Sequence, residues 1–517
     1  MSLAIGVLFA GPLAYVAWSN IRLGSDLTTL LRSGRTLEPL GRSVLLATAV
    51  SATSTVAGTV LAWTIHRTDL VGRRVWAVLA PLPLVFPSFV GATALISGFA
   101  TGGLVERITD PIGLGPLPPL AGFSGAWLVL TIFTYPYVYL PVAARLRRLP
   151  TSLEESARLL GRRPIGVFTS IVLPQTASAM SAGTLLVFLY TISDFGAVQL
   201  LRYDTLTRAI FTNQLADRAT SMAMALILGA VALAVVAAER RLVRSTPATS
   251  SRAGSARLRY PLGPWRAPVT ATVVVFFAAT LVGPIALLLH WLIRGLQRQR
   301  TTGATAVDVD GLATAVTNTV TVSVVAAIAT VLAVLPIAYL TARHRSRIGS
   351  VANALVVAGF ALPGIVIALA IIFWVLNAPL LARFYQTLPL LVLAYVIHFG
   401  AQATRASAVA VASVPEVLDE AARMLAAGRW RRLATIDLPL MAPGLLAAGG
   451  LVLLSTMKEL PATLLLSPTG YDTVATRIWA SMETVSYAQA GLDSLVLLAV
   501  SAVLTWLLVI RSSDRFD

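Results

Sequence analysis

Apolar runs of about 20 residues recur twelve times along this 517-residue chain, and a run of that length is what a helix needs to cross the hydrocarbon core of a bilayer. They lie at roughly 3–20, 43–65, 75–98, 124–143, 175–194, 219–238, 268–292, 314–341, 350–376, 388–405, 441–460 and 492–510. In lipid every backbone N–H and C=O must find its partner inside the segment, so runs this long are expected as helices. The composition agrees. Hydrophobic residues make up 56% and charged residues only 12%, about half the charged share of a soluble domain. The expected fold is therefore an all-α polytopic membrane protein with about twelve transmembrane helices. Disorder is excluded, because it requires low hydrophobicity. The absence of cysteine excludes a disulfide-built domain, thiolate metal sites and a cysteine nucleophile. The first run lacks a basic leading region and a small-residue cleavage site, and reads as a retained helix.

The net charge is +17. The excess sits in short loops between apolar runs, as expected of cytoplasmic loops, and not on a face that would bind nucleic acid. With the N-terminus inside and the runs alternating, inside segments hold 26 of the 40 Lys+Arg. One loop dissents: Arg22, Arg32, Arg35 and Arg42 fall outside. Lys458 is the only lysine and is followed by Glu459. The Gly-Lys-Ser/Thr of a nucleotide-binding P-loop therefore cannot exist here, and any ATP must be bound by another chain. No Ser-His-Asp arrangement, H-E-x-x-H or Gly-rich phosphate loop is evident, so no intrinsic enzyme is expected.

Residues 239–266 are rich in Ser, Ala, Pro and Arg without apolar periodicity, and read as a linker. They separate a first half, 1–238, from a second, 267–517, each with six apolar runs. The halves repeat. At an offset of 276, Arg67 matches Arg343 and Phe86-Pro87 matches Leu362-Pro363. At an offset of 265, Leu153-Glu154-Glu155 matches Leu418-Asp419-Glu420, Ile171-x-Leu173-Pro174 matches Ile436-x-Leu438-Pro439, and Asp194 matches Glu459. Two halves of six helices run parallel, and a pathway is expected at their interface.

Each half carries one charged loop: EESARLLGRRPIGVFTSIVLP at 154–174 and DEAARMLAAGRWRRLATIDLP at 419–439. Glu, a small pair, three residues, a small residue, nine residues and Ile-x-Leu-Pro recur in both. This resembles the EAA loop of ABC importer permeases, and the pairing of two such loops in one chain resembles the fused permease of ferric-iron-type importers. The resemblance covers nearly the whole chain. It implies two type I importer permease repeats in the bacterial inner membrane, with both loops cytoplasmic. Glu155, Ser156, Ala157 and Gly161, and Glu420, Ala421, Ala422 and Ala426, would then couple the chain to two copies of a separate ATPase that binds ATP and Mg. An extracytoplasmic binding protein would deliver the substrate, and this chain would hold no cofactor of its own. Gly161 permits the positive φ that turns the chain. At the matching position stands Ala426, with Gly428 two residues later, so the second turn is either displaced or a milder bend.

Asp194 and Glu459 lie near the outer ends of their runs, and ionisable groups at membrane depth are candidates for the path. Facing the axis, they would offer a hard cation oxygen ligands; otherwise Asp194 would cap a helix break and Glu459 would pair with a neighbouring charge. His398 reads as a packing or hydrogen-bonding group, and Tyr135, Tyr137 and Tyr139 as an interface-seeking cluster. The resemblance implies import of ferric iron, with thiamine, 2-aminoethylphosphonate or a polyamine as alternatives. A secondary carrier of the major facilitator type shares the twelve-helix parallel layout but lacks paired EAA loops.

Overall fold

The structure, a computed structural model, describes residues 2–22, 24–113, 118–244, 259–302, 307–343, 346–360, 362–415, 417–418, 424 and 428–505. In the first repeat, α1 (Ser2–Ile21) and α2 (Gly34–Arg67) precede a bent span, α3 (Arg73–Leu79) and α4 (Ser88–Phe99). Helices α5 (Gly122–Thr134) and α6 (Pro136–Arg148) lead to α7 (Thr151–Leu159), inside the first charged loop. After it come α8 (Leu173–Ser193), the short α9 (Gly196–Leu200) and α10 (Arg218–Arg244). The second repeat follows the same plan: α11 (Arg266–Phe277), α12 (Gly283–Thr302), α13 (Val309–Ala342), α14 (Arg347–Phe360), α15 (Gly364–Leu376) and α16 (Leu388–Ala412). It closes with α17 (Leu438–Met457), α18 (Pro461–Leu466), α19 (Val474–Glu483) and α20 (Tyr487–Thr505).

Among the described residues nine helices are long and apolar enough to cross a membrane, and the two bent pairs raise the number to eleven. The run at 388–405 also folds as helix, in the 25-residue α16, where His398, Gln402 and Arg405 dilute the hydropathy. The fold is thus an all-α polytopic membrane protein. Among the described residues, the only β pairing is an isolated bridge between Thr68 and Tyr260.

Proline sets the breaks. The residue before a proline is driven out of the α conformation. Phe86 is accordingly extended, with ψ 123°, ahead of Pro87, and the α3–α4 pair bends by 94°. Pro363, at φ −57° and ψ 147°, repeats the extended conformation of Pro87, at φ −62° and ψ 145°, and α14–α15 bends by 102°. A gentler device recurs three times. One π-helical turn at Phe168–Val172, Ala278–Val282 or Leu433–Asp437 stands two residues before Pro174, Pro284 or Pro439. Proline has no N–H for the i−4 carbonyl and clashes with it, and widening the preceding turn relieves the clash without ending the helix.

The chain forms two compact units. One gathers Ser33–Ala209 with Ala230–Arg298; the other gathers Met1–Arg32, Ile210–Gly229 and Gln299–Asp517. Each unit therefore contains the first helix of the other repeat. In the first unit α11 and α12 rest on the bent α3–α4 span. The Phe277 ring stacks on Trp76 at 5.3 Å, and Trp291 Nε1 donates to the Ser97 carbonyl at 2.6 Å. In the same unit, hydroxyl pairs join α2 to α5 and α8: Thr53 to Thr131 at 2.9 Å, Ser54 to Thr134 at 3.2 Å and Thr55 to Thr184 at 2.6 Å. Small residues and interhelical hydroxyl bonds are what hold helices together where lipid offers no hydrophobic drive.

In the second unit α1 rests on α14 and α15. Gly6 lies against the Ala352 backbone, and Gly359 against the Phe9 carbonyl. A Cβ on Gly359 would stand 2.6 Å from that carbonyl oxygen, whereas one on Gly11 of α1 would meet nothing within 4 Å. Gly359→Ala should therefore destabilise the protein by about 1–3 kcal/mol, as overpacking does. Gly11→Ala should be neutral or stabilising by about 0.5–1 kcal/mol. Thermal unfolding of the two variants in detergent measures the difference.

Candidate coupling loops and translocation residues

The first loop is built around α7. Pro150 precedes it in an extended conformation, with ψ 127°. The helix ends in a Schellman turn: Arg162 N–H donates to the Ala157 carbonyl and Gly161 N–H to the Arg158 carbonyl. Gly161 sits at φ +79° with open space around it, so its requirement is conformational, not steric. Glu155 and Ser156 are exposed. Ala157 turns inward and packs with Val167 and Tyr260. Leu159, Leu160 and Ile165 are 89%, 83% and 79% exposed, leaving an apolar surface beside Glu155. The Gly161→Ala variant should loosen this turn at a cost of about 1–2 kcal/mol, seen as faster proteolysis within 158–164 while the membrane core keeps its Tm.

Glu154, one residue before the motif glutamate, points the opposite way. It is fully buried and pairs at 2.8 Å with Arg67, the last residue of α2. The Tyr260 hydroxyl donates to its other oxygen at 2.9 Å. Burial holds the Glu154 carboxyl above the usual carboxylate range, while Arg67 and the Tyr260 hydroxyl pull it back down. The signal for this pair was present in the sequence, since both positions match an acid and an arginine across the repeat, Asp419 and Arg343.

In the second loop, Glu420, Ala421, Ala422 and Ala426 lie outside the described residues. The described part, from Gly428 to Pro439, carries a buried acid of its own. Asp437 is 1% exposed and pairs with Arg432 at 3.4 Å, and Arg432 Nη2 donates to the Tyr339 hydroxyl at 3.1 Å. The repeat gave no hint of these, because Val172, Val167 and Trp63 occupy the matching positions.

Asp194 and Glu459 are both buried, each just beyond the end of a long helix. Their oxygens cap the short helix that follows. Asp194 Oδ1 accepts from the Ala197 amide at 3.0 Å, and Oδ2 accepts from the Ser88 hydroxyl. Glu459 Oε1 accepts from the Ala462 amide at 2.9 Å, and Oε2 from the Thr463 amide at 3.0 Å and the Thr463 hydroxyl at 2.8 Å. The first partner differs across the repeat, because Ser88 matches Gly364. A Cβ on Gly364 would lie 2.8 Å from Glu459 Oε1 and 3.5 Å from His398 Nε2. The longer glutamate thus fills the space of the missing serine side chain. Of the tyrosine cluster, Tyr135 and Tyr139 are buried and Tyr137 is half-buried: Tyr135 donates to the Ala80 carbonyl at 3.0 Å, and Tyr139 bonds His66 at 3.1 Å.

This compensation predicts a reciprocal pair. Gly364→Ser alone should lower stability by about 1–3 kcal/mol. Combining it with Glu459→Asp, which installs the first repeat's pairing, should recover most of the loss. A double-mutant cycle read by thermal unfolding tests it.

The two repeats thus share a bent third span, a charged loop and a carboxylate-capped break. The family model for the binding-protein-dependent transport system inner membrane component matches residues 54–246 and again 334–516. The chain belongs to that family and is an ABC permease. It is 28% identical over 511 residues to the Fe(3+)-transport system permease protein FbpB 2 of Haemophilus influenzae, covering 98% of this chain and 96% of that one. It is also 29% identical over 250 residues to the molybdenum transport system permease protein ModB of Mycobacterium tuberculosis, covering 45% and 88%. The putrescine transport system permease protein PotI of Escherichia coli is 29% identical over 181 residues, covering 35% and 60%.

Proposed function

We propose that this chain forms the membrane path of a ferric-iron importer in the bacterial inner membrane, driven by two copies of a separate ABC ATPase and supplied by an extracytoplasmic binding protein. The observation that carries the substrate is the full-length likeness to FbpB 2, through both repeats and the linker; the molybdenum and putrescine relatives match less than half of this chain. Both loops face the cytoplasm, as the distribution of arginine favours. Exposed Glu155 and Ser156, flanked by Leu159, Leu160 and Ile165, suit insertion into a cleft on the ATPase. One copy of this chain supplies two loops and so engages two ATPases. ATP and Mg are held between those partners, and this chain contributes no hydrolytic group.

The cycle follows from alternating access. Closure of the ATPases on ATP moves the two loops together and opens the path outward, where the docked binding protein releases its cargo. Hydrolysis returns the inward-facing state. Asp194 and Glu459 lie at the outer ends of α8 and α17. Their carboxylates, already fixed by backbone amides, offer negative oxygen to a passing cation.

Uptake of labelled ferric iron, with thiamine, molybdate and putrescine in parallel, in cells lacking the chain tests the substrate. Iron uptake alone should disappear and return with the wild type, but not with Glu155→Arg plus Glu420→Arg. Loss of a different solute would reassign the cargo. Asp194→Asn with Glu459→Gln removes the charge and keeps one accepting oxygen at each cap. Since a unit charge at contact contributes several kcal/mol in a protein interior, iron uptake should fall by at least about tenfold at unchanged protein level. Unaltered uptake would remove both residues from the path.

A further inference from the structure

Resting on the coupling role proposed above, we infer that two Arg–carboxylate–tyrosine anchors, Arg67–Glu154–Tyr260 and Arg432–Asp437–Tyr339, deliver the displacement of the charged loops to α2 and α13. All six are positioning residues; none touches nucleotide or cargo.

The first anchor ties three segments together. Arg67 ends α2, is 2% exposed, and besides Glu154 holds the Leu146 carbonyl of α6 at 2.9 Å. Tyr260, at the end of the linker, is stitched to α2 through its backbone. Its N–H donates to the Arg67 carbonyl at 2.8 Å, and the Asp69 N–H donates to its own carbonyl at 3.3 Å. Its ring packs on Trp63 at 5.2 Å, and Trp63 in turn packs on Phe168 of the π-helical turn at 5.0 Å. Arg158 of α7 lies over the Tyr260 ring. A tilt of α7 therefore pulls on the end of α2 through a charge pair that water cannot reach. Such a pair resists separation, because opening it leaves a buried charge without its partner.

The second anchor repeats the chemistry from unrelated positions. Arg432 and Asp437 belong to the loop, and Tyr339 stands in the last turn of α13. Its hydroxyl donates to Asp437 Oδ2 at 3.5 Å and accepts from Arg432 at 3.1 Å. The aligned residues of the first repeat are apolar or Trp63. Tyr260 has no counterpart in the second repeat, because it precedes that repeat's first helix. Repeat inheritance does not explain two clusters of one composition at unmatched sites. What the two share is a tyrosine hydroxyl bonded to a buried loop acid that is paired with arginine: Arg67–Glu154 joins loop to helix directly, whereas Arg432–Asp437 lies within the loop and reaches α13 through the Tyr339 hydroxyl.

The test uses the chain reconstituted with its ATPase in proteoliposomes, comparing wild type with Tyr260→Phe, Tyr339→Phe and the double variant. Each phenylalanine keeps the ring and every charge, and removes one hydroxyl. ATPase binding and ATP hydrolysis should stay at wild-type levels, while cargo moved per ATP falls several-fold in each single variant and about tenfold or more in the double, the scale of a lost bond to a charged group. Because the chain has no cysteine, a spin label at exposed Ser152→Cys reports α7 alone. It should become more mobile with Tyr260→Phe and not with Tyr339→Phe. Unchanged cargo per ATP in the double variant, or an unmoved label in Tyr260→Phe, overturns the inference. Transport by the wild type without the ATPase would overturn the coupling role instead, and the label readout stands independently of that.

Discussion

A backbone amide at membrane depth has no water to turn to, and the architecture of this chain is organised by how it answers that demand. Two interruptions, just beyond α8 and α17, are supplied with a side-chain replacement for the hydrogen bonds they break. Beyond α8, Asp194 receives the amides that begin α9; beyond α17, Glu459 receives those that begin α18. At three prolines a single π-helical turn shifts the pattern and lets the helix continue. At these two breaks a buried carboxylate is what makes the interrupted helix tolerable.

The two repeats reach the same result by compensating changes. Serine and aspartate in one stand where glycine and glutamate stand in the other, and the extra methylene of Glu459 occupies the space released at Gly364. The loops show the same freedom. Each is fastened to the end of a long helix by an arginine, a buried acid and a tyrosine hydroxyl, drawn from different positions. What is held constant between the halves is the physical constraint, not the residue.

Much of this is legible in the sequence. Apolar runs near the bilayer thickness mark the helices, but the runs at 75–98 and 350–376, read as single spans, are bent by 94° and 102° at Pro87 and Pro363. The charged loops are legible because their spacing recurs. Three features depend on contacts the chain order does not encode. The placement of α1 on α14 and α15 is decided by the fit of Gly6 and Gly359 to residues more than 300 positions away. Glu154 and Glu155 are adjacent, and only the rotation of α7 sends one into the protein and the other into solvent. Tyr260 lies at the end of a linker whose composition promises no packing, yet it is 3% exposed and completes the first anchor.

We propose that this ABC permease moves its cargo only when ATP closes two partner ATPases on its two loops. The direct measurement is purification of the assembled complex, its stoichiometry by native mass spectrometry, and accumulation of labelled ferric iron in proteoliposomes supplied with binding protein. One copy of this chain with two ATPases is expected, with accumulation that starts with ATP and stops when ATP is omitted. Accumulation driven by an ion gradient without the ATPases would contradict it.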